Sequence, residues 1–123
     1  MRRALVAELE KIVGKERMST KTADLYVYGF DASIHHVTPD AIVRPASAQE
    51  VSEVVKLANR TKTPIVPRGA GTAMCGHTVP VKGGIIVDMT QMNKIKKISV
   101  EDLYCVVEPG VVYDKLNAEL GKR

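Results

Sequence analysis

The sequence predicts an α+β fold, in which a helical N-terminal segment leads into a small β-α-β unit and then into the start of an antiparallel sheet. Three observations carry this reading. Ser47-Ala48-Gln49-Glu50 is a capping box, serine at the cap and glutamate three residues on, and it opens a helix between two β-rich runs at residues 41–44 and 64–67. Glycines at 69, 71 and 76 then break the period with a long loop. Beyond it, apolar runs at 85–89, 94–98 and 103–108 are separated by the turn-like stretches 90–93 and 99–102, too short for helical crossovers, so antiparallel neighbours are expected.

In chain order, Leu5, Leu9, Ile12 and Val13 recur at helical spacing and Gly14 stands where a C-terminal cap belongs. Ser19 or Thr20 is placed to cap a short helical turn ahead of Asp24-Leu25-Tyr26, and Tyr28-Gly29-Phe30-Asp31-Ala32-Ser33 carries turn chemistry. His35 and His36 point to opposite sides in extended chain, which suits a surface or packing role better than shared metal ligation. In the helix after Ser47, Val51, Val54, Val55 and Ala58 form the apolar face, while Lys56, Asn59, Arg60 and Lys62 face solvent and Thr63-Pro64 ends it. The strands on either side are parallel by the right-handed crossover rule. The glycine-rich loop therefore lies at the carboxyl end of the second strand, the edge where α/β sheets bind ligands. Val112, Leu116 and Leu120 give a last helix stopped by Gly121. The expected division is an N-terminal helical segment at 1–39, the β-α-β unit at 40–83 and the antiparallel portion at 84–123.

Composition narrows the ligand. A chain of 123 residues buries one modest core. Its formal charge of +4 comes from scattered basic residues, with four tyrosines, one phenylalanine and no tryptophan to stack on bases, which favours a small anion over nucleic acid. Cys75 and Cys105 match neither a zinc pattern nor a disulfide framework, and a reducing, cytoplasmic setting is the simplest reading. Glu8, Glu10 and Lys11 interrupt the apolar run that a signal peptide starting at Met1-Arg2-Arg3 requires, and no run approaches the ~18 apolar residues of a membrane span.

The loop itself asks for an anion, because glycines so spaced let successive backbone N–H groups converge on one concavity. Two familiar phosphate loops fail here. The dinucleotide fingerprint Gly-x-Gly-x-x-Gly meets Met74 at its third glycine. The mononucleotide loop Gly-x-x-x-x-Gly-Lys-Ser/Thr has His77 in its lysine slot and runs into Val79-Pro80 rather than a helix. A long surface turn that uses glycine for shape alone stays open as the alternative.

Ile65-Val66-Pro67-Arg68-Gly69-Ala70-Gly71-Thr72 resembles the pyrophosphate loop of the flavin-linked oxidases related to vanillyl-alcohol oxidase and p-cresol methylhydroxylase, most of all their D-2-hydroxyacid branch, glycolate oxidase and D-lactate dehydrogenase. The resemblance extends to Tyr28-Gly29-Phe30-Asp31-Ala32-Ser33, Ala41-Ile42-Val43-Arg44-Pro45, Val87-Asp88-Met89-Thr90-Gln91-Met92-Asn93 and Val107-Glu108-Pro109-Gly110-Val111. It implies an FAD-binding domain of the p-cresol methylhydroxylase type, with FAD between a small β-α-β subdomain and a larger antiparallel one. This chain is expected to supply the first and only the opening of the second.

Carried over to this sequence, the resemblance implies that the FAD pyrophosphate meets Pro67, Arg68, Gly69, Ala70, Gly71 and Thr72, and again Cys75, Gly76 and His77, largely through backbone N–H groups. Pro109 and Gly110 would line the cofactor, or form an ordinary turn. Arg68 is open to reading as a phosphate partner or a surface cap, a backbone role being favoured. His77 replaces a glycine of the relatives' Gly-Leu-Ser-Gly-Gly and either donates to the cofactor or stands in water. Cys75 replaces a serine, and no nearby base argues for a catalytic thiolate. Thr72 occupies the slot from which family members tether FAD through histidine, so non-covalent FAD is expected. Two functions follow as expectations: the N-terminal FAD-binding portion of an oxidoreductase acting on a 2-hydroxy acid such as glycolate or D-lactate, inactive alone, or a phosphate-binding half-domain serving as an interaction module. Pairing with the missing C-terminal portion, a partner chain or a second copy through the exposed sheet edge goes with either.

Overall fold

The structure is a computed structural model that describes residues 2–123; Met1, which belongs to the expected N-terminal segment, lies outside the described residues. Helix α1 (Arg2–Val13) ends where Gly14 turns to φ 85° and donates its N–H to Glu10 O at 2.9 Å. A single 3₁₀ turn at Lys15–Arg17 leads into the short strand β1 (Met18–Ser19) and then helix α2 (Thr22–Tyr28). The cap of α2 is Lys21, not Ser19 or Thr20. Ser19 pairs with Ile42 instead, and its hydroxyl donates to Asp24 Oδ2 at 2.5 Å while accepting from the Lys21 N–H, so strand pairing has displaced the expected cap.

Strand β2 (Ala41–Val43), helix α3 (Ala48–Thr61) and strand β3 (Ile65–Arg68) follow as the sequence predicts. Ser47 Oγ accepts the Glu50 N–H at 3.2 Å, the first half of the capping box. The reciprocal half is rerouted: Glu50 accepts from the Ala46 N–H at 2.7 Å and from both terminal nitrogens of Arg17 at 2.6 and 2.7 Å. Helix α3 closes at Lys62 in the left-handed region, φ 53°.

The next strand departs from expectation. Strand β4 (Ile85–Asp88) lies between β2 and β3 and runs parallel to both, giving the sheet order β1-β2-β4-β3. Residues 85–88 are therefore not the first strand of an antiparallel meander but the strand that completes the first sheet. The physical reason lies in β4 itself, all four of whose residues are buried, the pattern of a strand covered on both faces rather than one. The loop from 69 to 84 is long enough to return the chain to the starting edge, as parallel pairing demands. At that edge Gly84, at φ 89°, leaves no room for a side chain: a Cβ would stand 2.1 Å from Pro64 O.

Alternation sorts the core into two layers. Ala41, Val43, Ile85 and Val87 pack with Leu9, Val13, Val54, Leu57 and Ala58 of α1 and α3. Ile42 and Ile86 face the other way, onto Leu25 of α2, with Tyr28 and Val66 beside them. Strands β5 (Ile95–Ser99) and β6 (Tyr104–Val107) then form the expected antiparallel hairpin, and helix α4 (Tyr113–Leu120) ends at Gly121.

Candidate cofactor-binding site

Arg68 and Asp88 are partners in the β3–β4 register, so the carboxyl ends of these strands stand side by side, and the Met89 N–H donates to Arg68 O at 2.8 Å. The glycine-rich loop leaves from this edge. Gly71 and Gly76 take φ 75° and 76°, the left-handed conformation that glycine adopts cheaply. Among the described residues, no backbone N–H from Gly69 to Thr78 donates to a protein acceptor. Nothing lies within 4 Å of where a Gly69 Cβ would stand, and Pro67, Ala70, Thr72, Cys75 and His77 are exposed. An open loop rich in unspent donors is what a diphosphate requires.

The back of the loop is walled by the stretch after α2. Arg68 Nη1 donates to Phe30 O at 2.5 Å and reaches Tyr28 O at 3.4 Å, with its guanidinium carbon 5.1 Å from the Tyr28 ring centroid. The Ala32 N–H donates to Ala73 O at 2.9 Å, and Asp31 accepts from the Ser33 N–H at 2.8 Å and the buried Thr78 hydroxyl at 3.3 Å. Hydrogen bonding from the Ser33 side chain foremost, opposed by burial and helped by the Ser33 N–H, Thr78 and the charge of His77, holds the Asp31 carboxyl below its usual range. His35 lies beneath Gly76, 3.0 Å from a Cβ built there, while His36 stacks on Phe30 at 3.9 Å.

One expectation about the loop is corrected. Cys75 does have a base beside it, since its Sγ lies 3.0 Å from His77 Nδ1. The intervening Gly76, in its left-handed turn, folds the two side chains onto each other, a proximity that i, i+2 spacing in extended chain does not give.

Below the loop sits a cluster that the sequence reading did not anticipate. Asp88, 2% exposed, accepts from the Tyr28 hydroxyl at 2.5 Å and the Thr90 N–H at 2.9 Å and lies 3.5 Å from Arg44 Nε. Arg44 also donates to the Tyr28 hydroxyl at 3.3 Å, with its guanidinium carbon 5.5 Å from that ring. Burial first, then the Asp88 hydrogen bond, pushes the Tyr28 phenol above its ordinary value. A signal was available: Arg44, Arg68 and Asp88 each stand at or just past the end of an apolar strand, and parallel pairing brings all three to one edge.

The turn at Pro109 and Gly110 reaches this edge as well. Gly110 is buried, its N–H donates to Met92 O at 2.8 Å, and a Cβ there would stand 2.0 Å from Met89 O. Since Met89 also bonds Arg68, a single residue joins the start of the loop to this turn. Pro109 is exposed beside a hollow of about 490 Å³ lined by Thr90, Gly110, Val111 and Lys115.

A family model described as an FAD binding domain matches residues 39–123. The chain belongs to this FAD-binding domain family. It is 37% identical over 119 residues to the mitochondrial D-lactate dehydrogenase [cytochrome] of Arabidopsis thaliana, covering 94% of this chain and 21% of that protein. It is 36% identical over 106 residues to glycolate oxidase subunit GlcD of Bacillus subtilis (strain 168), covering 85% and 23%. The crystal structure of p-cresol methylhydroxylase with substrate bound superposes with a TM-score of 0.87 at 28% identity, over 98% of this chain and 24% of that one. The chain thus spans about a quarter of the length of the relatives it matches. Its fold matches part of the FAD-binding domain of the p-cresol methylhydroxylase type. No helix among the described residues is long and apolar enough to cross a membrane. The walling stretch at 28–36 lies ahead of the residues the family model matches.

Proposed function

We propose that the loop from Pro67 to Thr72, continued by Cys75, Gly76 and His77, holds the pyrophosphate of FAD through backbone N–H groups, with Pro109 and Gly110 lining the cofactor alongside. The observation that carries this is the run of unspent donors from Gly69 to Thr78 at the carboxyl edge of β3 and β4. The FAD is held non-covalently, because Thr72 and not a histidine follows Gly71. FAD supplies a two-electron acceptor, and the whole protein to which this domain belongs uses it to oxidise a 2-hydroxy acid of the glycolate or D-lactate kind. Relatives named for both substrates support that class.

This chain's own residues bind and orient. Taking the substrate's proton falls to residues outside these 123, in the rest of the protein or in a complementary chain, and the chain alone is inactive. The exposed apolar residues Leu103, Tyr104 and Val106 on the hairpin support such a covering element. The test is titration of the chain with FAD, read by quenching of flavin fluorescence, for the wild type and Gly71→Val. A branched Cβ at φ 75° costs on the order of 1–3 kcal/mol locally and collides with the Arg68 guanidinium, which displaces the turn and its donors, so affinity is expected to fall by more than tenfold while the fold survives. Wild-type affinity in the variant sinks the loop assignment. Acid precipitation of the FAD-loaded protein should leave all the yellow colour in the supernatant, and a coloured pellet would overturn non-covalent binding.

A further inference from the structure

We infer that Arg68 is a positioning residue: its guanidinium fixes the curvature of the glycine loop by clamping Gly71 against the stretch after α2, and does not serve as the counter-ion of the phosphates. The inference rests on the reading of this loop as the pyrophosphate site. A cation at the mouth of a phosphate loop ordinarily reads as a charge partner. Here one arm of the fork and the face of the guanidinium are already committed elsewhere. Nη1 is spent on Phe30 O and Tyr28 O, and the guanidinium carbon lies 5.1 Å from the Tyr28 ring centroid. The same ring has the Arg44 guanidinium at 5.5 Å, and its hydroxyl is held by buried Asp88 and by Arg44. Tyr28 is therefore a fixed platform, and the fork of Arg68 is locked on it.

What the lock acts on is Gly71. A Cβ built there would stand 2.1 Å from Arg68 Nη2 and 2.5 Å from Cζ, so the loop turns directly over the guanidinium, in contact with it. The turn at Gly71 is thus shaped from two sides, by its left-handed backbone and by the flat cation it rests on. The planar fork is required for this, because it bonds carbonyls and stacks on the ring at once; a lysine ammonium carries the same charge without the plane.

Three measurements on the 123-residue chain decide it: FAD affinity, the dependence of that affinity on salt, and urea unfolding without FAD. Arg68→Lys and Arg68→Gln are both expected to weaken FAD by about tenfold, the scale of one lost hydrogen bond to a charged group, with no rescue by the retained charge of lysine. The salt dependence of FAD affinity should stay as in the wild type in both. Gly71→Ala should cost less in an Arg68→Ala background than in the wild type, in unfolding and in affinity alike, since removing the guanidinium removes what the new methyl meets. Full affinity in Arg68→Lys together with a weaker salt dependence in Arg68→Gln would make Arg68 a charge partner and overturn the inference, as would additive effects of the two alanine substitutions. A wild-type chain that binds no FAD would instead defeat the loop's assignment to FAD. The unfolding cycle would then still decide the clamp.

Discussion

The four-stranded sheet and the C-terminal hairpin with α4 differ sharply in what covers them. Every residue of β2 and β4 is buried, and helices pack on both faces of that sheet. In β6 only Cys105 is even half-buried, and α4 buries no residue. Yet both regions reach the candidate site, the sheet through the loop after β3 and the hairpin through Gly110. The contrast teaches that the sheet is the part whose burial supports itself, whereas the hairpin is a wing whose position depends on one seam. That seam is the contact of Gly110 with the turn from Met89 to Met92.

The largest expected effect therefore belongs to the sheet. Ile86→Ala, at a position fully buried in the centre strand, should cost about 2–5 kcal/mol, read as a shift of the urea midpoint at unchanged slope. Leu103→Ala, at a residue 89% exposed in the hairpin turn, should stay within about 0.5 kcal/mol. Equal costs at the two positions would dissolve the comparison. Next come the two tight glycines. Gly84→Ala puts a methyl against Pro64 O at a positive φ and should destabilise the whole chain by about 1–3 kcal/mol. Gly110→Ala puts one against Met89 O at similar cost to the seam alone, so amide exchange should quicken in β5 and β6 and stay slow in β2 and β4. Uniform acceleration in both sheets would mean that the wing is not separable. Smaller again is Tyr28→Phe, which takes one donor from buried Asp88 but leaves Thr90 and Arg44 in place, for about 1–2 kcal/mol by thermal unfolding.

Most of the sheet unit was legible in residues alone, because local chemistry and tertiary position agree there. Ser47 caps α3, Gly14 ends α1, and of the expected apolar face of α3 Val54 and Ala58 enter the core, joined by Leu57, while Val51 and Val55 are only partly buried. The place of β4 was misread for a reason the sequence contained. Ile85-Ile86-Val87 is a continuous apolar run, whereas a strand with one wet face alternates. The left-handed turns at Gly71 and Gly76 were legible, since that conformation is a property of the residue. The wall of the loop was not. The bonds of Arg68 to Phe30 O, of Ala32 to Ala73 O and of Thr78 to Asp31 span from 38 to 47 residues, and no spacing rule connects groups at that range. The nearness of His77 to Cys75 escaped for the opposite reason: it depends on one left-handed turn at Gly76, too local for periodicity to register.

A smaller effect than that of Tyr28→Phe concerns how the entry to the sheet is tied down. Glu50 accepts from both terminal nitrogens of Arg17, at 2.6 and 2.7 Å, which fastens the 3₁₀ turn before β1 to the first turn of α3. Arg17 foremost, opposed by burial and aided by the Ala46 N–H, holds the Glu50 carboxyl below its ordinary 4.5. A carboxyl with a lowered folded-state value binds its proton more readily in the unfolded chain. Its contribution is complete above the ordinary 4.5 and is lost as pH falls through the folded value. Both side chains are partly solvated, at 32% and 22% exposure, so the pair is worth about 1 kcal/mol at most, the upper end for an ion pair of this kind with fork geometry. Arg17→Met should therefore lower stability by about that amount at neutral pH and by progressively less in acid, until wild type and variant unfold at the same urea concentration once Glu50 is protonated in both states. The hairpin wing carries none of this linkage, so the amide exchange of β5 and β6 should not distinguish the two proteins at any pH. A difference between wild type and variant that persisted undiminished in acid would show that Arg17 acts through packing of its stem rather than through its charge.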